Sequence, residues 1–323
     1  MIAAEILARI RGLRALVVGD ICLDRWCTYD PALSEPSRET GLDRVAVVST
    51  VITAGAGGTV ANNLAALGAR RVAVVGTMGD DGFGFELRQA LERAGIDHSL
   101  MVTAPVATFT YTKLLNFVTG EEDRGRVDFV NPSPPPPEAE TAILENLRQA
   151  AADFDVVLVA DQAETATEGV VTARVREALA SLRGPLVWAD SRMRIERFHG
   201  VIVKPNEREA REACARLGVS GYRALRDAVG HPLMMVTHGG SGVLLLDGDR
   251  ESWVRTRPVE NPVDICGAGD SFSAGAALAL AAGAAPAESA RFGNLVASVT
   301  IMKKGTGTAS PAEVLRADSD LGE

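Results

Sequence analysis

Zinc sites, disulfide frameworks and dinucleotide loops each leave marks that this sequence lacks. Four cysteines stand in 323 residues (Cys22, Cys27, Cys214, Cys266), and no two form a Cys-x-x-Cys pair. That excludes a zinc ribbon and a disulfide scaffold. The four histidines, His98, His199, His231 and His238, show no metal-ligand spacing. No Gly-x-Gly-x-x-Gly follows the first apolar strand, so a dinucleotide-dependent dehydrogenase would lack its phosphate loop. Basic residues are outnumbered, 33 against 42 acidic, which speaks against a nucleic-acid partner. One long apolar run, Ala274–Ala287, is rich in Gly and Ala, and it reads as a buried helix rather than a membrane span. With free thiols and no signal peptide, the expected location is the cytoplasm, with no membrane partner.

What the chain does have is alanine, valine, leucine and glycine, with 46% hydrophobic residues. That composition suits buried parallel strands under close-packed helices. A short helix over 1–13 precedes a compact strand, Ala15-Leu16-Val17-Val18, which ends in a Gly19-Asp20 turn. Strand 71–76 and helix 85–94 follow further on, with Asp80 and Asp81 at the helix start. After the stiff proline run 132–137, periodicity predicts helix 138–152, strand 155–160, helix 167–182, strands 185–189 and 200–204, helices 206–217 and 220–229, and strand 232–237. A hairpin, 243–246 with 252–256, comes next. The predicted class is α/β: a mostly parallel sheet with helices on both faces. Runs 45–51, 107–114 and 126–130 break the alternation and are β-rich. They predict a small β lid, formed by roughly 26–54 and 107–131, over one domain spanning 1–323.

The chemistry gathers at Asp264-Ile265-Cys266-Gly267-Ala268-Gly269-Asp270, a glycine loop running into a small-residue helix. Helix-terminal amides suit an anion, and Asp270 is placed to act as a base. The plainer reading, Asp270 as a helix cap, stays open at this point. Gly55, Gly57 and Gly58 open a second small-residue helix that contains Thr59 and Asn63. Asp24, just past the first strand, could bind sugar hydroxyls. Asn206 and Glu209 share one face of a first helical turn, as holders of water around Mg²⁺ or as a capping box. Thr237, Gly239 and Gly242 form a glycine-rich turn at a strand end.

Together these segments resemble the ribokinase-type, or PfkB, carbohydrate kinases over nearly the whole chain. The resemblance implies a ribokinase-like fold and ATP-dependent phosphorylation of a sugar or sugar phosphate. It makes Asp270 the catalytic base and the backbone of Gly267, Ala268 and Gly269 an anion hole. It puts Asn206 and Glu209 with Mg²⁺ and the phosphates, and Thr237, Gly239, Gly242 and Asn294 beside the nucleotide. Asp264 and the Cys266 carbonyl match a loop where many members bind K⁺. Within the family, Gly19–Trp26, Pro36–Gly41 and Arg126–Asp128 resemble bacterial heptose-7-phosphate kinases. That likeness implies a homodimer through the lid, with Arg38 and Arg126 holding a sugar phosphate and Asp24, Gly55, Thr59 and Asn63 around the sugar. Three departures stand out. Thr59 occupies the position of a sugar-binding asparagine. Ala160–Glu164 replaces an Asp-Tyr-x-Lys-Gly segment, with Glu168 before Gly169 where a lysine is expected. The chain stops at Glu323, leaving no room for an added nucleotidyltransferase domain. A non-catalytic sugar or nucleotide sensor on the same fold is the alternative reading.

Overall fold

The computed structural model describes residues 1–164, 169–256 and 259–319. Helix α1 (Ala3–Ile10) leads into strand β1 (Arg14–Gly19), and β2 (Ile21–Tyr29) starts one residue later. β3 (Val47–Ala56) returns and runs straight into α2 (Gly57–Ala66). β4 (Arg71–Val75), β5 (Thr77–Gly79), α3 (Gly82–Arg93), β6 (Val102–Ala104), β7 (Thr110–Asn116) and β8 (Val127–Phe129) follow. Then come α4 (Pro137–Ala150), β9 (Val156–Asp161), α5 (Ala173–Ser181), β10 (Leu186–Ser191), β11 (Ile202–Val203), α6 (Glu207–Leu217) and α7 (Tyr222–Val229). β12 (Leu233–Thr237) precedes the hairpin of β13 (Val243–Asp247) and β14 (Arg250–Val254). The chain closes with α8 (Ala268–Ala281), α9 (Pro286–Thr300) and α10 (Pro311–Ser319).

Eight strands form one sheet in the order β14-β13-β12-β11-β10-β9-β1-β4. Pairing is parallel from β4 to β12 and antiparallel through the terminal hairpin. Successive side chains along a strand face opposite ways, so an apolar run buried on both sides feeds two cores. Val17, Val74 and Leu158 enter one core with Leu64 of α2, Leu278 of α8 and Val296 of α9. Their neighbours Val18, Val75 and Val159 enter the other with Ile143 of α4, Val175 of α5 and Leu225 of α7. This is the α/β architecture predicted from alternation, with helices on both faces.

A second sheet, ordered β3-β2-β7-β8, forms the lid. The three β-rich runs become β3, β7 and β8, as expected. The lid begins earlier than the sequence suggested, however, at Ile21 rather than Trp26. The chain passes from one sheet to the other through Gly19, whose φ is 139°, and a β-carbon there would stand 2.2 Å from the Ala160 carbonyl oxygen. Only glycine fits that passage. Asp24 therefore sits within a strand, paired between Thr53 of β3 and Tyr111 of β7, and not in a turn. The small parallel pair of β5 and β6 was also unforeseen.

The apolar run Ala274–Ala287 is not one helix. α8 ends near Gly283, which adopts a φ of 88°, and Pro286 starts α9. These are the usual stop and start residues. No described helix is long and apolar enough to cross a membrane. The start of the predicted helix 167–182 lies partly outside the described residues.

Of the two aspartates expected at the start of α3, Asp81 is the cap. Its carboxylate accepts from Gly84 N at 2.7 Å, Thr108 N at 2.9 Å and Thr108 Oγ1 at 2.8 Å. It thus ties α3 to the strand entering the lid. Replacing Asp81 by alanine should destabilise the protein by about 1–2 kcal/mol, the cost of a lost N-cap, measured by urea denaturation.

Candidate active site

Asp270 stands in the first turn of α8, directly after the loop of Gly267, Ala268 and Gly269. Gly267, at a φ of 77°, turns the chain into the helix. The helix that follows packs closely on α9 through small residues: a β-carbon on Gly275 would lie 2.9 Å from Val296 Cγ2. Asp270 is half-buried, and burial together with the charge of Asp190 pushes its pKa up to about 7. A carboxylate near neutrality can take a proton, which a simple surface cap would not do as well.

Asp24 faces the same region from β2. Burial raises it to about 6, and its charge adds to the upward shift of Asp270. Gly55 lies opposite, where a β-carbon would meet the Asp24 carboxyl at 2.3 Å. The glycine is thus required for the carboxylate to occupy its place. Thr59 is buried in the first turn of α2, and Gly267 packs on it: a β-carbon on the glycine would be 3.2 Å from Thr59 Cγ2. Asn63 is buried too and donates to the carbonyl of Thr59 at 3.0 Å, while its Oδ1 has no partner. Neither side chain lines the pocket under the lid. Arg126 is exposed, pairs with Asp128 at 2.7 Å and lies over the Tyr111 ring at 4.3 Å. Arg38 is exposed on the segment between β2 and β3.

That pocket, of about 110 Å³, is bordered by Asp20, Phe109, Tyr111, Asp128, Asn131 and Glu164 among others. The replaced segment Ala160–Glu164 forms one wall. Asp20 holds it by accepting from Gln162 N at 2.8 Å, Ala163 N at 2.9 Å and Val170 N at 2.9 Å. Glu164 pairs with Arg192. Glu168 lies outside the described residues.

A second pocket, of about 380 Å³, opens at the glycine loop. Thr237, Gly239, Gly242, Ala268, Gly269 and Asn294 all line it. Every residue read as nucleotide-binding is there except Asn206 and Glu209. Asn294 Nδ2 is buried without a hydrogen-bond partner, a donor awaiting an acceptor.

Asn206 and Glu209 form the capping box of α6: Asn206 Oδ1 accepts from Glu209 N at 2.9 Å, and Glu209 Oε2 from Asn206 N at 2.8 Å. Burial and Asp190 push Glu209 up to about 7, the mark of a carboxylate crowded by negative charge. Asp264 closes its own loop, accepting from Cys266 N at 2.9 Å and Gly305 N at 3.1 Å. Among the described residues, no three His, Cys, Asp or Glu side chains converge as a metal cage.

Sequence reasoning gave no role to the ion pair beneath this site. Lys204 Nζ lies 2.6 Å from Asp190 Oδ2, with both side chains almost wholly buried. Ser273 Oγ of α8 donates to the same carboxylate oxygen at 3.4 Å. The available signal was positional: Asp190, Arg192 and Lys204 all fall at the carboxyl ends of parallel strands, where open α/β sheets bind ligands.

A model described as "pfkB family carbohydrate kinase" matches residues 14–313. Among curated proteins, the bifunctional protein HldE of Caulobacter vibrioides is 34% identical over 94% of this chain and 63% of its own length. HldE of Trichlorobacter lovleyi is 30% identical over 96% of this chain and 64% of its own length. The chain thus spans less than two thirds of these relatives. Among solved structures, phosphofructokinase-2 from Escherichia coli in complex with potassium superposes with a TM-score of 0.74 at 19% identity, covering 96% of this chain and 100% of that one. Ribokinase of Arabidopsis thaliana complexed with ribose and ATP gives 0.68 at 20% identity, covering 95% and 99%.

Proposed function

The chain belongs to the pfkB family of carbohydrate kinases, a phosphotransferase family acting on sugar hydroxyls, and from that premise we propose that it transfers the terminal phosphoryl group of ATP to a sugar held under the lid. One observation carries this reading. Asp270 directly follows the glycine loop whose Ala268 and Gly269 line the second pocket, and it stands near enough to the lid carboxylate Asp24 for their charges to interact.

The chemistry follows from the residues. Asp24 accepts a hydrogen bond from the acceptor sugar and fixes its orientation. The acceptor oxygen forms its bond to phosphorus as the bond to the ADP oxygen breaks. Asp270 receives the hydroxyl proton, and the loop amides around Gly267, Ala268 and Gly269 stabilise the charge spread over the phosphoryl oxygens. The apolar pocket of Thr237, Gly239, Gly242 and Asn294 takes the nucleoside. Mg²⁺ fits the crowded carboxylate of Glu209 and its partner Asn206, held through water, and would supply positive charge to the phosphates. Asp264 and the Cys266 carbonyl offer oxygen ligands for K⁺, the ion named in the phosphofructokinase-2 structure. The lid's outer strand exposes Val47, Val48 and Val51, apolar surface suited to a second copy of the chain.

For the acceptor, the heptose-kinase-like segments at Gly19–Trp26, Pro36–Gly41 and Arg126–Asp128 favour a heptose 7-phosphate, phosphorylated at its 1-hydroxyl. A planar guanidinium at Arg126 or Arg38 suits such a phosphate. The test is ADP release with a panel of sugars and sugar phosphates, in Mg²⁺ with and without K⁺. Turnover on heptose 7-phosphate is the expected result. Turnover on another sugar alone would discard the heptose. Nucleotide binding with no turnover on any sugar would favour the sensor.

A further inference from the structure

We propose that Lys204 supplies the fixed positive charge for the phosphoryl group in transit, and that Asp190 is the positioning residue that aims it. The inference rests on the phosphotransfer reading and assigns a task to a buried ion pair which that reading leaves idle.

The geometry comes first. Lys204 directly follows β11 and Asp190 lies near the end of β10, side by side at the carboxyl edge of the sheet. The ammonium does more than meet Asp190. A β-carbon on Gly269 would stand 3.3 Å from Lys204 Nζ. The absence of that carbon leaves the cation pressed against the loop read as the anion hole. Gly269 itself is exposed and lines the nucleotide pocket. One atom layer therefore separates a buried ammonium from the place where phosphoryl oxygens would settle.

The electrostatics agree. Three carboxylates surround the ammonium: Asp190 from β10, Glu209 from α6 and Asp270 from α8. Burial pulls the Lys204 pKa down, but the charges of Asp190, Glu209 and Asp270 and the hydrogen bond to Asp190 together outweigh it and hold the amine protonated above its usual range. A buried ion pair seldom improves stability over an apolar pair of the same size, so a structural reason for it is weak. A charge already desolvated and held in place needs no reorganisation when the transition state forms, and this is where fixed charge acts most strongly. Ser273 and Lys204 both bind Asp190 Oδ2, which sets the direction of the ammonium.

The test needs no acceptor. Binding of ADP and of the β,γ-imido analogue of ATP, both with Mg²⁺, is measured by calorimetry on the wild type and on Lys204→Met. The expected result is a loss of about tenfold or more for the analogue, the size of one charge-assisted contact, with ADP affinity retained. Equal affinity changes for both ligands would overturn the proposal. With a working acceptor, kcat should fall about 100-fold or more, as for removal of one fixed transition-state donor.

If Lys204→Met does not fold, Lys204→Met/Asp190→Asn removes both buried charges together. A purely structural pair predicts that this double variant recovers wild-type preference for the analogue over ADP, and that result sinks the idea. A folded double variant that still fails to distinguish them supports it. Asp190→Asn keeps the lysine but removes its anchor, so the analogue should bind about tenfold more weakly than it binds the wild type, with ADP affinity retained. Unchanged preference for the analogue over ADP in Asp190→Asn counts against Asp190 as the positioning residue. Failure of the wild type to turn over any sugar would defeat the kinase reading separately, since the two nucleotide affinities do not depend on the acceptor.

Discussion

Asp270→Asn should lower kcat by about 10²–10⁴-fold, the usual range for loss of a positioned general base, while ADP affinity stays near that of the wild type. The pH dependence sharpens this expectation. Burial and Asp190 hold Asp270 near 7, and the base works only when ionised. The wild-type kcat/KM should therefore fall as pH drops below about 7, with a further contribution from Asp24 near 6. In Asp270→Asn the limb near 7 should vanish. Stability supplies the control, with the sign as follows. A carboxyl whose folded pKa lies above its unfolded value binds more protons in the folded state, so it contributes less stability as pH rises through that window. At pH 8 the ionised Asp270 is a burden on the fold, and Asp270→Asn should melt no lower than the wild type. A variant that loses activity and also melts early at pH 8 would point to misfolding. Full activity in Asp270→Asn would remove Asp270 from the mechanism.

Gly55→Ala should be nearly as damaging, for a steric reason. The added carbon would meet the Asp24 carboxyl at 2.3 Å, inside any tolerable contact. Either the carboxylate swings away or β3 shifts from β2. In both cases the acceptor loses its orientation, and a displacement of about 1 Å at a reacting group can cost about 10²-fold in rate. The loss should appear in kcat/KM for the acceptor, with nucleotide affinity preserved, because the nucleotide pocket is lined from β12, α8 and α9. Steady-state kinetics with each substrate varied separately checks this. An unchanged acceptor KM would mean that Asp24 does not hold the sugar.

Much of this was legible in the chain. Compact apolar runs ending in glycine or a polar residue marked β1, β9 and β12, because a strand buried on both faces has few polar positions to blur it. The Gly267–Asp270 loop was legible because the residues that turn the chain also carry the chemistry. β2 was not, since Asp24, Arg25, Trp26 and Thr28 interrupt the alternation that identifies a strand; their partners arrive from β3 and β7, far along the chain. Asn206 and Glu209 were ambiguous for a related reason, as a capping box and a water-holding pair use the same residues at the same spacing. Lys204 and Asp190 went unassigned because only the sheet brings them together. Charged residues at strand ends look like the beginnings of loops until the order of the strands is known.

The crossing at Gly19 has a mechanical consequence. β1 and β2 form one nearly continuous ribbon, creased at a glycine, and β3 re-enters the body where Gly57 N donates to the Asp20 carbonyl at 2.9 Å. Two of the lid's four connections to the body, β1 into β2 and β3 into α2, thus meet at one crease. Asp24 stands on the lid side of this crease and Asp270 on the body side. The separation between the group proposed to hold the acceptor and the group proposed to take its proton is therefore set by the angle at which the two sheets join.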